Sequence, residues 1–139
     1  IIIFDCNPML GLLNQNILSI TDKLLIPVEL SPFGVMGLDV LFRFVRKAQK
    51  VNTNLDIMGI LETKVDKRYS MTEKAETTLQ TIFAKSKIPI LNSYIPADSN
   101  IPKSQWDRLP LDVFVKDKSK NSRANKQFKS LTKEVLSYE

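Results

Sequence analysis

The 139 residues contain no histidine, one cysteine and four glycines. Each shortage removes a class of chemistry. Without histidine there is no imidazole base, no serine–histidine couple and no histidine-held metal. Cys6 alone cannot form an internal disulfide; it fits a reducing cytoplasm and gives no metal site. The scattered Gly11, Gly34, Gly37 and Gly59 cannot make a phosphate-cradling loop, and no G-x-x-x-x-G-K-[ST] occurs. No apolar run approaches the roughly 18 residues of a membrane span, and nothing has the make-up of a signal peptide.

What is present is enough for a core. Hydrophobic residues make up 43% of the chain, which excludes a disordered tail and fits one domain or part of one. Twenty Lys and Arg against fifteen Asp and Glu leave a net charge of +5. That excess suits an anionic partner such as nucleic acid or acidic lipid, and equally suits plain solubility.

The opening stretch, Ile1-Ile-Ile-Phe-Asp5-Cys-Asn-Pro8-Met-Leu-Gly11, runs four apolar residues into an aspartate. An apolar run without polar alternation reads as a strand buried on both faces, as in a parallel sheet. Asp5 would then stand at the carboxyl end of a strand, where open α/β sheets bind ligands. A carboxylate there either caps the turn or helps to hold Mg²⁺ through water. Cys6 reads as a small core residue beside the strand end.

Downstream, apolar periodicity predicts a helix over 12–20, a strand over 23–28, a helix over about 33–51 and a strand over 55–61. Ser31 is a candidate cap with Pro32 in the first turn, and Asn52 to Asn54 end the long helix. A further helix starts near Ser70 or Thr72, carries Leu79, Ile82 and Phe83 as its buried stripe, and ends at Lys85 to Lys87. Ile88 to Ile95 reads as a fourth strand, Pro96 to Pro110 as a loop or short broken helix anchored by Trp106, and Leu111 to Val115 as a short strand. Residues 119–138 read as a closing helix with Ala124, Phe128, Leu131, Val135 and Leu136 turned inward. Strands alternating with helices predict an α/β fold, a mostly parallel sheet with helices on both faces.

In order along the chain, Asp5-Cys-Asn-Pro-Met-Leu-Gly11-Leu-Leu-Asn-Gln-Asn16-Ile-Leu resembles the D-x-P-P-x-x-G-x-x-x-x-N-A-L stretch of the ParA/MinD-type (Soj-like) partition ATPases. Leu25-Ile-Pro27-Val-Glu29, Gly37-Leu38, Leu55 to Asp66, Ile95-Pro96 and the helix through Leu131-Thr-Lys-Glu134 continue it with spacing kept. The resemblance implies an incomplete P-loop NTPase-like fold. It implies that 1–139 is a single-domain portion from the carboxyl-terminal part of a longer protein, whose P-loop lies upstream of Ile1. The whole protein would bind ATP and Mg²⁺ and hydrolyse ATP; this portion alone, lacking the P-loop, would not. Asp5 would be the Walker B-type acid on the metal side, and the loop through Gly11 would sense the γ-phosphate.

The resemblance also implies adenine- and ribose-side contacts near Thr63 and Asp66 and near Ile95 and Pro96, where the residues alone allow a plain hydrogen-bonded turn. It implies an ATP-dependent homodimer that binds DNA non-specifically through basic surfaces: Lys67, Arg68, Lys74, Lys103, Arg108, Lys120 and Arg123. The alternative for these cations is a solvated face. A ParB-like partner protein and a cytoplasmic, nucleoid-associated location follow from the same likeness, without stable membrane association, since Leu131 to Glu139 is too short and too little apolar for a membrane tail. The chain departs from the family at Asn7, at Ala97 to Ser104, and at Arg108, where relatives have glycine. The departures at Asn7 and at Ala97 to Ser104 leave a second reading open, a non-catalytic relative that binds DNA or scaffolds. The scarcity of interleaved aromatics speaks against stacking on single strands.

Overall fold

The structure, a computed structural model of the chain, describes residues 1–84 and 88–138. Three strands, β1 (Lys23–Glu29), β2 (Asp56–Val65) and β3 (Ile95–Pro96), form a sheet in the order β1-β2-β3, parallel throughout. The helices among the described residues are α1 (Leu12–Leu18), α2 (Pro32–Met36), α3 (Leu38–Val51), α4 (Ser70–Phe83), α5 (Asn100–Trp106), α6 (Leu111–Asp117) and α7 (Arg123–Leu136).

The central strand β2 divides the core. Successive side chains of a strand point to opposite faces. Ile60 therefore packs with Leu38, Ala75, Leu79 and Phe83 of α3 and α4, whereas Leu61 packs with Ala124 and Leu131 of α7. Ile60, Leu79 and Val45 are wholly buried, and each contributes about 1.5–3 kcal/mol by leaving water. A third cluster, Leu18, Val45 and Leu55, fastens α1 beneath α3. Helices thus cover both faces, as the alternation of elements predicts.

Local chemistry accounts for the joints. Ser31 caps α2 by accepting from the Gly34 N–H at 3.2 Å, with Pro32 at the first helical position. Gly34 is required there: a Cβ on it would lie 2.2 Å from the Glu29 carbonyl oxygen. Asn52 ends α3, and its side-chain amide donates to the carbonyls of Leu18 and Thr21, tying two helix ends to the start of β1.

Several expectations are corrected. Ile1 to Phe4 is not a strand: these residues are exposed and join no ladder. They line a groove of about 560 Å³ together with Leu24, Leu25 and Pro27 of the edge strand β1 but form no ladder with it. Cys6 is exposed rather than in the core. The helix expected over 33–51 is divided at Gly37, which closes α2 and opens α3. β2 runs on to Val65, because its last residues pair with β3.

Ile88 to Ile95 is not one strand. Ile90 makes a single bridge to Ile60, and the ladder resumes only at Ile95. Between them the backbone N–H groups of Asn92 and Ser93 donate to the Glu134 carboxylate on α7, at 2.7 and 2.8 Å, instead of to a strand. Leu111 to Val115 is helical, not extended. Pro110 suits a helix start, Asp112 and Lys116 sit one turn apart, and only Phe114 is fully buried.

The closing helix begins at Arg123 behind the Ser122 cap, later than position 119, and Phe128 and Leu136 are partly exposed. Leu12, Leu13, Ile20 and Ile82 are likewise exposed. Helix α4 is preceded by Tyr69 with no side-chain cap, so neither Ser70 nor Thr72 serves as one. The helix end expected at Lys85 to Lys87 lies outside the described residues.

Candidate functional site

The register of the sheet brings two expected site segments together. Thr63 pairs with Ile95, and Val65 with Pro96, so the chain leaves β2 and β3 side by side at their carboxyl ends. Ligands of open α/β sheets bind at that end. A cleft of about 350 Å³ opens there, lined by Val65, Asp66, Lys67, Arg68, Tyr94, Pro96, Arg123, Lys126 and Gln127.

Four cations and one acid set its electrostatics. Asp66 accepts from the Arg68 backbone N–H at 3.1 Å, from Nε at 2.9 Å and from Nη2 at 2.5 Å. That fork holds the Asp66 carboxyl down at about 2 and pushes the Arg68 guanidinium further up, so the pair stays ionised over the physiological range. The Lys67 ammonium lies 5.5 Å over the Tyr94 ring. Arg123 and Lys126 come from the first turn of α7, at the positive end of the helix dipole. Glu62, on β2 and outside the cleft lining, is half-buried. Burial, then the neighbouring Glu76, push its carboxyl up against the opposing pull of Lys67.

Asp98 fixes the wall that carries Arg123 and Lys126. One carboxylate oxygen accepts from the Ser122 hydroxyl at 2.7 Å and the Ala124 N–H at 3.1 Å, at the start of α7. The other accepts from the Asn100 N–H and side-chain amide, both at 2.9 Å. Partial burial pushes the Asp98 carboxyl up, but these bonds outweigh it and hold it below the ordinary aspartate value.

The expected site residues divide. Asp66 and Pro96 line the cleft together with Lys67, Arg68 and Arg123 from the basic set. Thr63 lies within β2, half-buried and flanked by Glu29 and Ile95, so it follows no strand but forms part of one. Ile95 is buried beneath the cleft. Lys74, Lys103, Arg108 and Lys120 are exposed and lie outside it. Asp5 and Gly11 are elsewhere. Asp5 is exposed on the separate groove beside β1, where no other acidic side chain lines the wall among the described residues.

The loop after Asp5 is held by Asn14, a residue that sequence reasoning passed over. Asn14 is buried, and its amide donates to the carbonyls of Asn7 at 2.6 Å and Met9 at 3.0 Å. Its oxygen is buried without a partner among the described residues. Gly11 opens α1 with extended backbone, and a Cβ there would meet nothing within 4 Å. Tyr94 and Gln127 were also missed. The spacing of Arg123, Lys126 and Gln127, three to four residues apart on a helix start, was the available signal.

The fit of a magnesium ion follows from these positions. Mg²⁺ takes one or two carboxylates and fills its shell with water and substrate phosphate. Asp5 supplies one carboxylate, and no group of three acidic or sulfur ligands exists among the described residues. The residues present do not hold the ion by themselves. No helix among the described residues is long and apolar enough to cross a membrane.

Comparison with known proteins bears on the sequence family and the fold. Residues 1–57 match the model of an AAA domain family. The chain is 30% identical over 135 residues to the sporulation initiation inhibitor protein Soj of Bacillus subtilis (strain 168), covering 96% of this chain and 51% of that protein. It is 32% identical over 133 residues to the virulence plasmid ParA family protein pGP5-D of Chlamydia psittaci, covering 96% of this chain and 48% of that one. It is 29% identical over 114 residues to the chromosome-partitioning ATPase Soj of Treponema pallidum (strain Nichols), covering 81% and 44%. The chain spans about half the length of these relatives. In three dimensions it is similar to the crystal structure of cobyrinic acid a,c-diamide synthase from Mycobacterium smegmatis with bound ADP and magnesium. That likeness has a TM-score of 0.57 at 24% identity, over 67% of this chain and 37% of that one, and it supports the α/β fold. By sequence, the chain is similar, over nearly its whole length, to about half of each of these ParA/Soj partition proteins.

Proposed function

We propose that this chain is the carboxyl-terminal half of a ParA-like ATPase for plasmid or chromosome partition. The whole protein binds ATP with Mg²⁺, dimerises on it, coats DNA without sequence preference, and releases it when a ParB-like partner stimulates hydrolysis. The observation that carries this reading is the pairing of β2 with β3, which sets the segment after Thr63 beside Ile95 and Pro96. The family resemblance expects a nucleotide at those two segments. Asp66 keeps Arg68 oriented, Tyr94 offers a ring, and Arg123 and Lys126 supply positive charge to phosphate. Asp5, on the loop clamped by Asn14, would lend its carboxylate to water-held Mg²⁺, with the P-loop coming from the upstream half. When bound, that metal neutralises phosphate charge.

Phosphate neutralisation by lysines and arginines is blind to sequence and sensitive to salt. If four exposed basic side chains outside the nucleotide cleft each meet one DNA phosphate, the logarithmic salt slope is about −4, a loss of about a hundredfold between roughly 50 and 200 mM salt. The test is a duplex-DNA titration of the protein carrying both halves, with ATP, at those two salt concentrations. Steep salt dependence is expected; salt-insensitive binding, or none with ATP, overturns the reading. A second reading, a non-catalytic DNA-binding or scaffolding relative, is favoured by the departure at Ala97 to Ser104. It predicts an upstream half without the P-loop lysine and DNA binding indifferent to ATP.

A further inference from the structure

Trp106 was expected to pack its loop down, yet it is 89% exposed. It makes no ring–ring or cation–ring contact among the described residues. A tryptophan left this open loses the burial that makes its large ring useful, and tryptophan and arginine dominate recognition surfaces. It ends α5, with Pro102 four residues and Lys103 three residues before it, hence on the same helix face.

The turn that follows holds a cation beside the ring. Arg108 has φ 53°, and two bonds close the helix: its N–H donates to the Gln105 carbonyl at 3.1 Å, and the Leu109 N–H to that of Ser104 at 3.0 Å. This is the left-handed helix stop in which glycine is the ordinary residue. Pro102, Gln105, Trp106 and Arg108 together line an open recess of about 390 Å³. Neither Lys103 nor Arg108 forms an ion pair among the described residues, whereas Asp107 is turned to Lys118 at 3.8 Å. The recess therefore presents a flat aromatic face flanked by uncommitted positive charge.

We infer that the Trp106–Arg108 recess is a binding site for single-stranded DNA, with one base stacked on the Trp106 indole and its phosphates on Arg108 and Lys103. Every base has a π-face, so stacking on one ring needs no sequence. In a duplex the bases are already stacked on one another, and the ring meets only backbone. Single strands are therefore favoured, against the expectation from the scarcity of aromatics, because one open ring is enough to stack one base. The inference shares Lys103 and Arg108 with the basic set of the partition reading but needs neither ATP nor a P-loop, so either can fail alone.

The chain has one tryptophan, so its emission reports this recess and nothing else. A twelve-residue oligothymidylate should quench that emission saturably. The matching duplex and polyglutamate should leave it nearly unchanged. With a labelled oligonucleotide followed by anisotropy, Trp106→Ala should weaken binding about tenfold or more. Arg108→Gly relaxes the turn, so it should melt at or above the wild-type temperature while binding several-fold more weakly. That combination separates a ligand contact from a structural role. Emission indifferent to oligothymidylate, equal quenching by duplex or by polyglutamate, or undiminished binding by Arg108→Gly overturns the inference.

Discussion

Replacing Asp98 tests how the cationic cleft is built. Its carboxylate takes four hydrogen bonds that join the segment after β3 to the start of α7. The donors belong to Ser122, Ala124 and Asn100, which are 2%, 0% and 8% exposed, so they cannot turn to bulk water if the acceptor is removed. A buried donor left unmatched costs about 1–3 kcal/mol, and the Asn100 amide retains only a long bond to the Asn121 carbonyl at 3.4 Å. Water entering the space left by Asp98→Ala offsets part of that, leaving a net loss of about 3 kcal/mol.

For a chain of this length that is a fall in Tm of roughly 10 °C. Asp98→Asn keeps an oxygen for the Asn100 pair but turns an amide N–H toward that of Ala124, and should lose about half as much. The pH dependence has a definite sign. A carboxyl held below its unfolded value of about 3.9 contributes its stability above that pH and loses it as pH falls through the folded value. Melts of the three proteins by far-ultraviolet circular dichroism should therefore differ most near neutrality and converge in acid. An Asp98→Ala protein melting within about 2 °C of wild type at pH 7, or a gap that widens in acid, refutes the reasoning.

Three further outcomes follow from single positions. Gly34→Ala forces a Cβ to within 2.2 Å of the Glu29 carbonyl oxygen, so the backbone must shift; a loss of about 3 kcal/mol should appear in the urea midpoint. Glu62→Gln should raise the melting temperature at pH 7. Burial and then Glu76 push the native carboxyl up, so the wild type's relative stability is full below about pH 4.3 and is lost as pH rises through the folded value, and the advantage of glutamine vanishes in acid. Asp56→Asn removes the 2.9 Å bridge to Lys23, but both side chains are open to water at 42% and 65%, and the melt should change by no more than about 0.5 kcal/mol.

The elements that could be read from sequence are those whose cause is local. β1 and β2 are apolar runs with nowhere else to go, Ser31-Pro32 announces a helix start, and Asn52 announces a helix end. The cleft was half legible. Resemblance pointed to Asp66 and Pro96, and composition pointed to Lys67, Arg68 and Arg123, but only the β2–β3 register unites the two sets.

What escaped is decided by partners distant in sequence. Glu134 captures the N–H groups of Asn92 and Ser93 from more than forty residues away, and so interrupts the strand expected at Ile88 to Ile95. Ile1 to Phe4 has the composition of a strand yet joins no ladder among the described residues, although the edge strand β1 lies across a groove from it. The five residues Leu111 to Val115 are too few for periodicity to separate strand from helix. Asn14 looked like one polar residue among several, and only its burial against Asn7 and Met9 shows that it holds the loop after Asp5.

The central claim is that the cleft at the carboxyl end of β2 and β3 receives the nucleotide. Its most direct test is equilibrium binding of ATP with Mg²⁺ to the longer, P-loop-bearing protein proposed above to contain this chain, comparing wild type with Arg123→Glu. Reversing that charge should weaken ATP at least about tenfold while the fold, read by circular dichroism, is unchanged. ATP bound equally well by both proteins contradicts the account.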